Sequence, residues 1–77
     1  MNKVRRKRLV SVKDKIEELQ ELLQDIIDEE QEAIGNMPES LQGSKQCEAM
    51  EEAVSSMEEA LENLGFAADN IEEVIGQ

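Results

Sequence analysis

The chain has no histidine, tryptophan or tyrosine, and only one cysteine (Cys47), one proline (Pro38) and one aromatic residue (Phe66) among its 77 residues. Each shortage removes a class of function. Without histidine there is neither the commonest general base nor the commonest metal ligand. Di-iron helical bundles, which need Glu-x-x-His pairs, are excluded for the same reason. A single cysteine cannot build a disulfide framework or a thiolate cluster. With no imidazole to activate it, Cys47 reads as a small core residue rather than a nucleophile. No glycine-rich phosphate loop is present, and nothing in the chain reads as an active site. No apolar run approaches the length needed to cross a membrane. The basic start is not followed by the apolar stretch of a signal peptide, so secretion is not expected. A lone thiol suits a reducing interior, and the cytoplasm is the expected compartment.

What is present is charge, unevenly placed. Residues 1–15 carry seven Lys or Arg against Asp14 alone, whereas residues 16–77 carry 18 acids against Lys45 alone, for a net charge of −11. At this length there is one domain, and its own core contributes only a few kcal/mol of net stability.

Helical periodicity fills both halves. Leu9, Val12, Ile16, Leu19, Leu23 and Ile26 alternate in steps of three and four, and the same steps reach Glu30 and Ala33. This predicts a seam with Leu9, Ile16, Leu23 and Glu30 in one row and Val12, Leu19, Ile26 and Ala33 in the other. In the second half Cys47, Met50, Val54, Met57, Leu61, Leu64, Ala68, Ile71 and Ile75 step in the same way. Good helix formers occupy the remaining positions. Between the halves, Gly35 suits a left-handed position just past a helix end, and Asn36 suits a cap for a turn beginning near Pro38. Pro38 cannot continue the first helix but can open the next. Ser44 is a second candidate cap, after Gly43. The expected fold is therefore all-α, a single domain over residues 1–77. Helix 1 runs from about 4 to 34, a turn over about 35–43, and helix 2 from 38 or 44 to about 75.

Two helices of matching length on a short connection favour an antiparallel, coiled-coil-like hairpin. Folding back sets the basic start beside Glu62, Asp69, Glu72 and Glu73, so the charge asymmetry fixes orientation more than stability. Cations at a helix N-terminus oppose the helix dipole and favour fraying there. The apolar surface is wider than one seam needs. Leu22, Ile27 and Ile34 flank the first helix's rows, and Ala53, Ala60, Ala67 and Val74 flank the second's at intervals of seven. Burying both flanks predicts a homodimer, a four-helix bundle, in which these residues and Phe66 meet the partner.

Three positions break the pattern. Glu30 falls on the seam and is expected to reach solvent or Lys45; a buried carboxylate fixing register is the alternative. Gly65 interrupts helix 2, as a tolerated irregularity, a kink or a close contact. Phe66 then falls at an outward position. Either the register shifts and Phe66 packs inward, the reading preferred, or it is an exposed anchor for a partner.

Glu17-Glu18-x-x-Glu21 and Glu58-Glu59-x-x-Glu62 both read EExxE, which resembles the Mg²⁺-binding signature of MazG-type nucleotide pyrophosphohydrolases. With 15 Glu in the chain such pairs arise by chance. The helical register turns Glu18, Glu21, Glu59 and Glu62 away from the seam, whereas metal ligands in bundles point inward. No metal, cofactor or catalytic residue is expected. The tract Lys3-Val4-Arg5-Arg6-Lys7-Arg8 lacks interleaved aromatics and a folded DNA-reading motif, so direct nucleic-acid binding is not expected. The long acidic remainder is a solvated helix surface, or alternatively a mimic of nucleic-acid charge that takes a basic protein partner.

The stretch Asp28-Glu29-Glu30-Gln31-Glu32-Ala33, the turn Asn36-Met37-Pro38-Glu39-Ser40-Leu41-Gln42, and Glu48-Ala49-Met50-Glu51-Glu52-Ala53 together resemble small acidic helical-hairpin proteins encoded by phages, prophages and conjugative elements of Firmicutes. The resemblance covers most of the chain. It implies a setting rather than a mechanism: a non-enzymatic interaction or structural hairpin, or an acidic inhibitor of a host DNA-binding or defence protein.

Overall fold

Asn2 opens the first helix. In the computed structural model, which describes residues 1–77, its side chain accepts a hydrogen bond from the Arg5 amide at 2.8 Å and caps helix α1, Lys3–Gly35. This cap closes the turn that the clustered cations disfavour, and asparagine is among the strongest capping residues. At 1.5 Å per residue α1 is about 50 Å long. Helix α2, Lys45–Ile75, is capped by Ser44, whose hydroxyl accepts from the Cys47 amide at 3.2 Å. The second helix thus begins at the later of the two positions the sequence allows. Pro38 instead precedes a single 3₁₀ turn, Glu39–Leu41. The two helices pack antiparallel into an all-α hairpin 59 Å long and 14 by 13 Å across.

The turn corrects one expectation. Gly35 is the last residue of α1 and has no positive φ; Gly43, at φ 80°, is the only residue that does. Asn36 ends α1 with ordinary backbone angles, donating its N–H to the Glu32 carbonyl at 3.0 Å. The chain reverses at Gly43, just before the Ser44 cap. The Gln42 amide donates to the carbonyls of Ile34 at 3.3 Å and Met37 at 3.1 Å, tying the turn back to the end of α1.

The seam on α2 is the expected row. Cys47, Val54 and Ala68 are buried, and Met50, Met57, Leu61, Leu64, Ile71 and Ile75 are half-buried. On α1 one row is as expected, with Leu9, Ile16, Leu23 and Glu30 half-buried, and the other is not. The second covered row is Arg6, Lys13, Gln20, Ile27 and Ile34, while Val12, Leu19, Ile26 and Ala33 are exposed. Apolar residues lie on both sides of the central row of α1, so spacing alone does not choose between them. Packing selects the side where Ile27 is only 2 % exposed and where polar neighbours meet the acidic edge of α2. There the Lys13 ammonium pairs with Glu72, and the Gln31 amide donates to Glu58 at 3.3 Å. Long polar side chains such as Arg6, Lys13 and Gln20 can cover apolar surface with their stems while their heads stay wet.

Glu30 is half-buried and makes no ion pair, so neither the Lys45 contact nor a fully buried carboxylate is formed. Helix α2 runs unbroken through Gly65, where an added Cβ would meet only the Gln20 side chain at an ordinary 3.5 Å. With no register shift there, Phe66 stays on the outer surface, 57 % exposed, against the preference for core packing.

The two glycines therefore separate cleanly. Gly43→Ala should cost about 1–2 kcal/mol, because a Cβ opposes a left-handed conformation. Gly35→Ala, in helical geometry with nothing within 4 Å of its Cβ, should be neutral or stabilising by up to about 1 kcal/mol. Thermal unfolding followed by circular dichroism should show midpoints moving in opposite directions, by roughly 4–8 °C per kcal/mol. Equal shifts, or a loss at Gly35, would contradict the turn described here.

Candidate interaction face

The hairpin has two unlike edges. One is polar and is marked by contacts across the seam: Lys13 with Glu72, Gln31 with Glu58, and Gln20 against Gly65. Because successive helical residues are 100° apart, the row Val12, Leu19, Ile26, Ala33 lies on the other side of the α1 seam from Lys13 and Gln20. By the same rotation Ala53, Ala60, Ala67 and Val74 lie about 160° around α2 from the Glu51, Glu58, Glu72 row. Both sets therefore fall on one face of the hairpin, opposite the polar edge. The heights match as well. Lys13 lies level with Glu72 and Gln31 with Glu58, so Val12 stands beside Val74, Leu19 beside Ala67, Ile26 beside Ala60 and Ala33 beside Ala53.

This face is apolar and open. Leu19 is 51 %, Leu22 60 % and Ile26 50 % exposed, and nine large hydrophobic residues in all are exposed, against four buried residues in the chain. The residues expected from the sequence to meet a partner divide accordingly. Leu22, Ala53 and Ala60 are exposed on this face, and Ala67 and Val74 are half-buried at its border. Ile27 and Ile34 leave the set, because the seam of the hairpin itself covers them. Phe66 is exposed, but on the back of α2, away from the others. Sequence reasoning placed Val12, Leu19 and Ile26 in the core. Their flank belongs to this face, and the signal lay in the apolar residues on both sides of the central row of α1, more than one neighbouring helix covers.

Charge frames the face. Lys13 makes the only ion pairs, with Glu17 at 3.6 Å and with Glu72. Arg6 donates to the main-chain oxygen of Gln77 at 2.6 Å, while its covered Nε has no acceptor. Lys3, Arg5, Lys7, Arg8 and Lys15 have no acidic partner, nor do Glu62, Asp69 and Glu73, which were expected to receive them. At this end a shallow groove of about 440 Å³ is floored by Met1, Leu9 and Val12 and rimmed by Arg5, Arg8 and Lys15.

The acids of both EExxE pairs are exposed, and no three His, Cys, Asp or Glu side chains converge as metal ligands. Cys47 is 1 % exposed, a free thiol 3.5 Å from Glu51 Oε1 and 4.0 Å from Gln42 Oε1. No helix is long and apolar enough to cross a membrane. No family model, curated protein or solved structure matches the chain.

The Lys13 ammonium is held above its ordinary pKa of 10.5, chiefly by its hydrogen bond to Glu72 and also by the charges of Glu72 and Glu17. A raised pKa in the folded state means that this pair supports folding fully below the unfolded value, and that the support disappears as pH rises through the folded one. The thermal midpoint of the wild type should thus fall more steeply than that of Lys13→Met as pH rises above 10.5. The difference is small, because the pair is exposed. Parallel pH profiles for the two proteins would contradict the assignment.

Proposed function

We propose that the chain is a non-enzymatic interaction protein, a helical hairpin that works by docking its apolar face on other helices to complete a bundle. The observation that carries this reading is the open face of Val12, Leu19, Leu22 and Ile26 beside the alanine row of α2, on a molecule with only four buried residues. A core this small leaves a 77-residue hairpin marginal on its own, and covering a second face supplies the missing apolar burial. The buried free thiol of Cys47 supports a reducing compartment such as the cytoplasm. The likeness of its turn and flanking helices to hairpins of phages and mobile elements supports a setting in such an element.

A second reading rests on a different observation. Glu18, Glu21, Glu59 and Glu62 are all exposed on a rod 59 Å long, a charge array that a basic, nucleic-acid-binding protein would accept in its groove.

One experiment separates the two. Immobilised protein is exposed to an extract of its natural host at about 0.1 M and 1 M salt, beside a Leu19→Lys/Ile26→Lys variant and a Glu18→Gln/Glu21→Gln/Glu59→Gln/Glu62→Gln variant. Docking through the apolar face predicts association that survives high salt, persists in the glutamine variant and is lost in the lysine variant. The mimic predicts the reverse on all three counts, because exposed charge is screened within about 10 Å at 0.1 M salt. Retention that is identical for wild type and the lysine variant would overturn the interaction face.

A further inference from the structure

Building on the interaction face, we infer that its occupant is a second copy of this chain, turned end for end about a two-fold axis that passes beside Leu22. The row on α1 that contains Leu22 reads Arg8, Lys15, Leu22, Glu29 at intervals of seven. Reversed about Leu22, this row is complementary to itself. Leu22 meets Leu22 of the partner subunit, while Lys15 and Glu29 each meet their opposite in charge. The neighbouring exposed row reverses about nearly the same point, setting Leu19 against Ile26 and Val12 against Ala33. On α2 the alanine row reverses likewise, pairing Ala60 with Ala67 and Ala53 with Val74. Three rows sharing one centre of reversal is what a two-fold, isologous interface requires.

The unpaired charges favour the same arrangement. Lys15 and Glu29 have no ion-pair partner within the hairpin. Turning the second copy end for end lays the basic start of each α1, with its groove between Arg5, Arg8 and Lys15, over the other copy's acidic turn end, which carries Glu32, Glu39, Glu48 and Glu52. Two hairpins aligned turn to turn would instead gather both acidic ends together and both basic ends together, and like charges at close quarters are destabilising. The size also suits. A face 59 Å by 14 Å is ~800 Å² in outline, about what each partner buries in a standard stable interface. Flanking alanines permit close approach of the second pair of helices, as in other four-helix bundles.

The test combines sedimentation equilibrium with charge exchange and cross-linking. Lys15→Glu alone and Glu29→Lys alone should each raise the dimer dissociation constant roughly three- to thirtyfold at low salt, since each change makes two symmetry-related pairs repulsive. The double variant Lys15→Glu/Glu29→Lys should restore it. In a Cys47→Ala background, Leu22→Cys should form a disulfide-linked dimer on mild oxidation. Glu29→Cys, whose two copies lie about 20 Å apart along the helix direction, should not. A dimer that Leu19→Lys/Ile26→Lys abolishes, but that ignores the charge exchange and does not link through position 22, overturns this arrangement and leaves the interaction face standing. A wild type that remains monomeric at 1 mM overturns the dimer itself. The interaction face is then judged separately by the extract binding above.

Discussion

A neighbouring helix can cover two of the three adjacent rows on α1 that carry leucine or isoleucine, and the rest of the molecule is arranged around that limit. The rows are led by Ile27, by Leu23 and by Ile26. Packing against α2 covers the first two, and the side it selects is the one where Lys13 and Gln31 find acidic partners on α2. The third row is left facing outward together with Leu22. A single long helix pair of this size has no other surface to offer it, because the apolar row of α2 is already used in the seam. The open face is therefore a consequence of geometry and composition together, rather than of any one residue.

Charge does a different job from the one its asymmetry first suggests. Folding back brings seven cations to the C-terminal end of α2, yet a single ammonium, that of Lys13, finds a carboxylate there. Exposed pairs of this kind contribute little to stability. Of the cations left over, Arg5, Arg8 and Lys15 rim the groove at the basic end of the apolar face. In the proposed dimer, the placement of Lys15 and Glu29 sets how the second copy sits on the face more than how tightly the hairpin folds.

Much of the fold was legible in the sequence because local signals agreed. The row from Cys47 to Ile75 is flanked by alanine on one side and mostly by glutamate on the other, so only one face of α2 could be the seam. The start of α2 at Ser44 followed from capping chemistry. Helix α1 was harder to read. With isoleucine or leucine on both sides of its central row, the choice depended on contacts with α2 that no local pattern carries, and Val12, Leu19 and Ile26 were assigned to the wrong side. Gly35 imitated a helix stop, since Gly-Asn followed by a proline is the usual signature, but Asn36 ends the helix without a left-handed residue and the reversal falls to Gly43. Phe66 was read as packing inward against its outward register; that reading required a shift at Gly65 that the unbroken helix does not make. The candidate face was half legible: Leu22 and the alanine row stood out, whereas Ile27 and Ile34 could not be told from their exposed neighbours until the seam was fixed.

The central claim is that the third apolar row of α1 is covered in solution by something other than the chain's own second helix. The most direct measurement is the relaxation that a soluble paramagnetic reagent induces in methyl groups observed by NMR, as a function of protein concentration. The account predicts that the methyls of Leu19, Leu22 and Ile26 are shielded nearly as well as those of Ile27 at high concentration and become accessible on dilution. Those of Val4, near the open end of α1, stay more accessible than the face throughout. Methyls of Leu22 and Ile26 as accessible as those of Val4 at every concentration would contradict it.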